Sequence, residues 1–596
     1  MGDIVTIDEQ IFTNIANAIR SKNGKETTYK PREMAAAIAS IGAEPTKWIR
    51  PSNWPDYSKV DLTDQEVIYL TYDCTYTTEN HISVLVSGAY TIKRGTLNNG
   101  SFTSVTSTNM TSGATFQEEL PTNAGDYVVY QITPQSGSHI TDFRFVSMTD
   151  PNSSVAWGGT QQHCIERYCR VPYHTTAWGN SQGVSASSHI TAGMIADTII
   201  GATPNGSLYC CYRTDFGGPS YVNIEDCSFV NVTTLQYMFY NSHLTQEIYL
   251  PHDLGSKCTN LMGMFQGCEK LITLNLSGWN TGSVTNFSGM FNGCSNLCQI
   301  NGIEDFDFTS ATNLSSMFNN CRMISFNSSK WETSTALTNC NSMFSGCWSL
   351  TALDLSGFVT SNVTTFSYMF YACEKIITLD LSSFVVSNKA TTLASMFMYC
   401  YSLENIIRNK NWNTSNVTTF ESMFGNCLML KEIDISDFDF SNATTIKNMF
   451  YLCTRLEKIK ATINLPALTN VSYVATFASS CAFLDDVSEL IFTNCSYMPD
   501  FGYDRNLTYI KIPASVTNIP NNTFRDCGHL AIVDCRDLTA VPTLGGVNAF
   551  ILNSNTQQKI IVPDNLYNTW IAATNWSNAT LAARIISASD YEALTA

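Results

Sequence analysis

The sequence predicts a mixed α/β multidomain protein: an N-terminal helical hairpin over residues 1–44, a β-sandwich over 45–150, an irregular extension and solenoid N-cap over 151–225, and then a long stacked solenoid. Three observations carry this reading. The dipeptide Met-Phe recurs nine times at intervals of 26 or 27 residues, at Met238-Phe239, Met264-Phe265, Met290-Phe291, Met317-Phe318, Met343-Phe344, Met369-Phe370, Met396-Phe397, Met423-Phe424 and Met449-Phe450. In eight of the nine copies a cysteine stands three residues after the Phe (Cys268, Cys294, Cys321, Cys347, Cys373, Cys400, Cys427, Cys453), and Ser242 takes that place in the first. Residues 48–148 alternate β-branched and aromatic runs with Gly, Asn and Ser clusters, whereas the first 44 residues carry apolar stripes at helical spacing. A fixed period in this range marks a stacked solenoid, because no single unit can bury its own apolar face.

In chain order, Thr6-Ile7-Asp8-Glu9 has the spacing of a capping box, and Phe12, Ile15, Ala16 and Ile19 share one helical face. Gly24 breaks that helix, Pro31 suits the first turn of a second, and Met34, Ile38 and Ile41 form its apolar stripe. Two helices this short are marginal alone. Phe12, Ile15, Ile19, Met34 and Ile38 are therefore expected to make assembly contacts with a neighbouring domain or another chain, including a second copy. The runs Val67–Tyr72, His81–Val86 and Tyr127–Ile132 read as strands of an antiparallel sandwich. Residues 151–225 hold the pairs Gly158-Gly159 and Gly217-Gly218 but no period.

Each repeat then has three parts, legible in the copy that starts at Cys347. Leu350, Leu353 and Leu355 make a short strand with inward leucines, and Phe358 follows as an aromatic anchor. The turn Thr360-Ser361-Asn362-Val363-Thr364 leads to Met369-Phe370 on the opposite side. Trp279, Phe384 and Phe438 repeat the anchor, and Trp331 and Trp412 fall near the same place; all are expected in the core rather than as sugar platforms. Regular repeats of 26–27 residues run over 226–480, and 481–596 reads as divergent repeats and a C-terminal cap. Burying one Phe contributes about 1.5–3 kcal/mol, so nine in-register copies stabilise the stack, offset by chain ordering.

Composition narrows the function. Only 14% of residues are charged, against roughly 25% in an ordinary soluble protein. The net charge of −17 disfavours nucleic acid, which needs a basic footprint, and adsorption to an anionic membrane. No apolar run reaches the length of a membrane span, and Met1–Arg20 lacks the apolar core of a secretory signal peptide. The 21 cysteines are expected as buried reduced thiols, since free Cys behaves as a small hydrophobe. A bridge between coils would offer each Cys two equivalent neighbours with parallel side chains, a poor geometry for a defined disulfide.

Catalytic patterns do not stand out. There is no P-loop, nucleophile elbow or His-Glu-x-x-His motif. His163, Cys164, Cys169 and His174 fit no standard zinc-ligand spacing. The expectation is a protein without catalytic residues, metal or cofactor. One repeated polar column is a candidate binding surface: Asn275, Asn301, Asp354, Asp380 and Asp434, interrupted by Ile407 and Lys460, with Thr273, Gln299, Glu432 and Lys458 alongside. On a parallel ladder these form a line of amides and carboxylates. The line is either a solvated surface or a site recognising a glycan or polypeptide through hydroxyl-matching donors and acceptors.

The motifs Met-Phe-x-x-Cys-x-x-Leu and Leu-Asp-Leu-Ser-x-Phe over about residues 226–460 closely resemble the BspA-like leucine-rich repeats, a family also prominent among mycoplasma surface lipoproteins. The segment Leu507–Val516 with Phe524–Cys527 resembles the second repeat type of that family, and Ile561–Asp564 with Ala573–Trp576 is similar to its closing segment. The resemblance implies a right-handed leucine-rich-repeat solenoid used for binding, frequently at cell surfaces. Separately, Ile15–Arg20 with Tyr29–Ile38 resembles a short module at the start of phage tail and baseplate-associated proteins.

Together with the missing signal peptide, that module implies a virion protein made in the bacterial cytoplasm. It would join other tail or baseplate subunits through its N-terminus and bind a host-surface glycan or protein through its solenoid, with no nucleic acid partner and no membrane insertion. The alternatives are a bacterial cell-surface adhesin with the same repeats, and a depolymerising enzyme acting through residues 45–225, since paired carboxylates meet only in three dimensions.

Overall fold

The computed structural model describes residues 50–595 apart from 64, 75–80, 121–126, 146–163, 174–195, 209–211, 213–218, 323–327, 329, 469 and 551–556. The hairpin expected over 1–44, with Phe12, Ile15, Ile19, Met34 and Ile38, lies outside the described residues. Among the described residues the chain is mostly β, an N-terminal sheet region followed by a long β-solenoid. α-Helix is confined to three short segments, Tyr567–Ala572, Ala579–Ala582 and Ala588–Thr595. The mixed α/β class is corrected to that extent. The physical reason lies in the Met-Phe side of each coil, which must turn every few residues and so forms linked turns rather than helix.

The N-terminal region contains β1 (Val67–Asp73), β2 (His81–Ser87), β3 (Tyr90–Asn98), β4 (Ser101–Met110), β5 (Thr115–Glu119), β6 (Tyr127–Pro134) and β7 (Asp142–Phe145). After it come β8 (Cys164–Arg170), β9 (Ala196–Ile200), β10 (Asn205–Ser207), β11 (Tyr221–Asn223), β12 (Asn231–Thr234) and β13 (Glu247–Tyr249). One sheet has the order β13-β11-β9-β8-β1-β6-β3-β4, and a second has the order β5-β2-β7. Alternation decides the layers. Ile68, Leu70 and Tyr72 of β1 meet Ile82, Val84 and Val86 of β2 in the core between the sheets. Val67 and Tyr69 face the other way, under Tyr57 and Leu62.

Strand β8 is where the architecture changes. It runs antiparallel to β1, with Arg167 opposite Leu70, and parallel to β9. From there β9, β11 and β13 continue in parallel, with Val222 opposite both Asp197 and Ile248. The sandwich sheet thus passes without a break into the parallel strands of the solenoid. An open strand edge at that end would invite pairing with another chain; β8 and β1 cover it. Residues 164–223, read from sequence as irregular, supply four of these strands: β8, β9, β10 and β11.

Most later coils carry a short strand on one side, such as Thr273–Asn275 paired in register with Gln299–Asn301, although the equivalent segment at 351–355 forms none. A second side is a ladder of single bridges linking Thr234, Asn260, Asn286, Asn313, Asn339, Thr365, Thr392, Thr419 and Thr445 in turn. The third side is the Met-Phe turn, whose amides bond to the next coil: Phe265 N donates to Met290 O at 2.9 Å and Phe291 N to Met317 O at 2.9 Å. Two residues per coil sit in the left-handed region, as Gly263 (φ 57°) and Gly267 (φ 78°) do around Met264-Phe265. That is why Gly, Ser and Asn favour those places.

The interior is a column of rings. From Phe239 to Phe450 successive centroids lie 5.3–5.9 Å apart with planes within 13° of parallel. The cysteine beside each ring tethers it to the coil before. Cys268, Cys294, Cys321, Cys347, Cys373, Cys400, Cys427 and Cys453 each donate through Sγ to the Phe carbonyl one coil earlier, at 3.0–3.2 Å. Every described cysteine is a free thiol. Burial pushes Cys294, Cys347 and Cys400 up to about 12, so these thiols are unreactive hydrogen-bond donors.

Ser242 explains its own exception: its hydroxyl donates to Tyr212 O at 2.6 Å. The Tyr212 ring stacks on Phe239 at 4.9 Å and 9°. Tyr212 is therefore the first ring of the column, one coil before the first Met-Phe.

Candidate recognition surface

The polar column lies on the exposed strand side. Asn275 and Asn301 are paired in register, Asp380 stands opposite Ile407, and Asp434 stands opposite Lys460. Asn275, Asn301, Asp354 and Asp380 are exposed and Asp434 is half-buried. Four of the five have a local task. The Oδ1 atoms of Asn275, Asp354, Asp380 and Asp434 accept from the backbone N of Ser277, Ser356, Ser382 and Ser436 at 2.9–3.1 Å. These are Asx turns, which end the strand and bend the chain toward its aromatic anchor. Asn301 instead accepts from Gln299 Nε2 at 2.7 Å. The Ser382 hydrogen bond holds the Asp380 carboxyl below its ordinary value, and the Ser436 hydroxyl does the same for Asp434. Asp354 and Asp380 each present one committed and one outward oxygen, whereas Asp434 Oδ2 accepts from Lys410 Nζ at 3.0 Å.

Its interruptions have physical causes. Arg408 occupies the place of the inward Leu381 and Ile435; its guanidinium lies 5.5 Å from the Trp412 ring and 4.9 Å from that of Phe438. It also pairs with Asp437 at 2.6 Å. Beyond it, Lys458 pairs with Asp486 at 3.3 Å and also with Glu489, and Lys460 pairs with Glu489 at 3.1 Å. Of the flanking residues, Gln299 and Glu432 are exposed, and Thr273 and Lys458 are half-buried. Trp279, Phe358, Phe384, Trp331 and Trp412 are all buried. Trp279 Nε1 donates to Pro251 O at 2.9 Å, and Trp331 Nε1 to Ile303 O at 2.8 Å.

Beside the bridge ladder runs a second polar column. Thr285, Thr312, Thr338, Thr364, Thr391, Thr418 and Thr444 are exposed. Each hydroxyl donates to the carbonyl of the equivalent threonine one coil earlier, at 3.0–3.3 Å. The outer surface on this side is a row of tethered hydroxyls. It was legible in the sequence as the recurring threonine 26 or 27 residues apart.

A third exposed feature, on the turn side, is a run of tyrosines. Tyr368 and Tyr371 have centroids 5.5 Å apart, Tyr371 and Tyr399 5.3 Å, and Tyr399 and Tyr401 5.9 Å. Aligning the repeats would have found part of it, because Tyr368 stands where other coils carry Gly263, Gly289 or Ser342 and Tyr399 where they carry Gly267, Gly293 or Asn426. Of His163, Cys164, Cys169 and His174, the two histidines lie outside the described residues, and Cys164 and Cys169 are buried thiols. Among the described residues no cluster of three or more His, Cys, Asp or Glu has metal-binding geometry.

Two family models match the chain. "Mycoplasma protein of unknown function, DUF285" matches residues 216–302, 296–409 and 380–489, and "BspA type Leucine rich repeat region (6 copies)" matches residues 499–573. Neither reaches residues 15–38. No curated protein matches. Among solved structures, a leucine-rich repeat protein from Bacteroides ovatus is 15% identical, covering 76% of this chain and 96% of its own, with a TM-score of 0.37. A leucine-rich cell surface protein from Faecalibacterium prausnitzii is 14% identical, covering 74% and 96%, with a TM-score of 0.26. A leucine-rich repeat protein from Eubacterium ventriosum is 16% identical, covering 61% and 82%, with a TM-score of 0.28. Likeness at that level carries no argument about function.

Proposed function

This chain is a BspA-type leucine-rich-repeat protein with DUF285 repeats, and from that premise we propose a non-enzymatic surface-recognition protein of the bacterial adhesin type, its solenoid the binding element. The observation that carries the reading is the outside of the solenoid. Two columns of uncharged or lightly charged polar groups, the strand-side Asn/Asp column and the threonine column, run from coil to coil. Their backbone-directed bonds are already made, so the outward atoms are held in fixed positions. Pre-ordered donors and acceptors lose little entropy on binding, and repetition lets a weak contact per coil add up along an extended ligand.

The test is binding of the full chain to intact candidate cells, with and without protease or glycan-stripping treatment. Saturable binding that one treatment abolishes is expected; no binding to any cell overturns the reading. A second reading, a phage tail protein anchored through its N-terminus, is favoured by the resemblance of residues 15–38. Mass spectrometry of purified particles, set against antibody labelling of intact bacteria, separates the two.

A further inference from the structure

We propose that Tyr368, Tyr371, Tyr399 and Tyr401 form a binding site for a neutral glycan chain on the turn side of the solenoid, an inference that rests on the recognition reading above and gives it a ligand class. The four rings belong to two neighbouring coils and make a continuous edge-to-face series with centroid separations of 5.5, 5.3 and 5.9 Å. Tyr368 is 43% exposed and Tyr401 36%, and Tyr371 and Tyr399 are half-buried. The series is therefore an aromatic ledge facing solvent, unlike the buried ring column beneath it.

Backbone cost makes the ledge informative. Tyr368 (φ 56°) and Tyr399 (φ 64°) both sit in the left-handed region, which disfavours an L side chain with a Cβ. Most other coils fill the Tyr368 position with Gly or Ser, as Gly263, Gly289, Ser342 and Ser422 do, and the Tyr399 position with Gly or Asn, as Gly267, Gly293, Gly346 and Asn426 do, with Ala372 and Leu452 the exceptions there. Tyr237 (φ 55°) is a contrasting case: its ring lies over Gly263, where an added Cβ would meet it at 2.3 Å, so packing accounts for it. Two unfavourable tyrosines, one exposed and one half-buried, whose rings join a ledge serve a purpose other than folding.

The chemistry of the ledge selects the ligand. Residues 366–373 and 393–403 carry no charged side chain, so the surface does not match a polyanion, which binds through lysine and arginine. Ring faces take the C–H faces of a saccharide through dispersion, and the phenol hydroxyls donate to and accept from sugar hydroxyls. Half-buried Glu374 at the rim adds an acceptor.

The experiment compares the full chain with its Tyr368→Asn/Tyr399→Asn variant, because asparagine tolerates the left-handed backbone while removing the rings. Mobility is measured in native gels cast with mannan, dextran or xylan, and with polygalacturonate as the anionic control. The proposal expects retardation by at least one neutral polysaccharide and none by polygalacturonate. The variant should bind at least tenfold more weakly, with a thermal midpoint unchanged or raised. Retardation by polygalacturonate alone, or equal retardation of the variant, overturns it. Saturable cell binding that is equal in the variant overturns this site and leaves the recognition reading standing. Cell binding lost both in the variant and on protease treatment overturns the glycan class in favour of a polypeptide. Absence of both cell and polysaccharide binding overturns the site and the recognition reading together.

Discussion

Coils between Phe239 and Phe450 and those between Phe477 and Trp576 share one backbone path but solve the interior differently. In the first set the ring, the methionine and the thiol recur without exception after Ser242, and the rings stack face to face. In the second the methionine place is taken by Phe477, Asp500 and Thr523, while Cys481 and Cys527 keep the thiol, donating to Phe450 O and Phe501 O at 3.1 and 3.2 Å. Phe450 N donates to Phe477 O at 2.8 Å, the bond that Met makes in every earlier coil, and Ala478 N donates to Asp500 O at 3.1 Å. Phe477 thus occupies the methionine position and Ala478 the ring position, and the stack breaks: Phe450 and Phe477 meet edge-on at 87°. Asp500 then takes the methionine position, Phe501 the ring position and Asp504 the thiol position.

Face-to-face order returns at Phe501 and Phe524, 12° apart, and the column ends on Phe550 and Trp576. The difference teaches that the backbone ladder, not the identity of the side chains, propagates the fold. Side-chain uniformity adds stability on top of it.

The comparison can be broken most forcefully in the ring column. Phe344→Ala in the regular set should cost about 3–5 kcal/mol and lower hydrogen-exchange protection on both sides of the lesion. Phe524→Ala should release only the coils after about residue 500, since a solenoid frays from its ends. Equal loss of protection everywhere in both variants would show that the two sets form one cooperative unit.

Alkali comes next and should act on both sets, because burial raises Cys481 and Cys527 of the second as well. The ordinary thiol value is 9.0, and burial raises Cys294, Cys347 and Cys400 to about 12. A raised value in the folded state means that stability is complete below pH 9 and is lost as pH climbs toward 12. Each thiol contributes about 1.4 kcal/mol of that loss per pH unit. Circular dichroism against pH should therefore show alkaline unfolding between those limits, and Cys294→Ser, which keeps a donor as Ser242 does, should move its onset upward.

Asp504 gives a smaller effect of the same sense, beginning at lower pH. Its Oδ1 accepts from Cys481 N at 2.6 Å, its other oxygen has no hydrogen-bond partner, and burial holds the carboxyl well above its ordinary 3.8. Its contribution is thus present at acid pH and lost as pH rises. Asp504→Cys, restoring the thiol of the regular coils, should raise the unfolding free energy at pH 7 by about 1–3 kcal/mol and have little effect at pH 3. Smallest is Ser242→Ala, which removes the first tether of the column and should cost about 0.5–1.5 kcal/mol, with Ser242→Cys near neutral; both are read by urea denaturation.

Much of the regular set was legible before any coordinates. The Met-Phe period located nine coils, the following cysteine was correctly expected as a buried thiol, and Trp279, Trp331, Phe358, Phe384 and Trp412 are core residues as read. The coil at Tyr212 and those after Phe450 escaped the pattern because they keep the path while changing the side chains that announce it. The strand at Cys164–Arg170 escaped for another reason. A strand buried on both faces shows no alternation, and its partner was a sandwich strand nearly a hundred residues earlier. The candidate column was found in the right place, but its main local task, the Asx turn, depends on where Oδ1 points.

By itself the sequence determined the period, the burial of the ring and thiol at each repeat, and the low charge of the outer surface. Those follow from short-range chemistry: which residues prefer the interior, and which tolerate a left-handed turn. The tertiary structure alone decided that β8 converts an antiparallel sandwich into a parallel ladder, that each thiol bonds to the carbonyl of the coil before it, and that four tyrosines from two coils meet on one ledge. Each of these joins residues 27 to about 100 positions apart. Such pairings exist only once the stack has set its register, and no local preference encodes them.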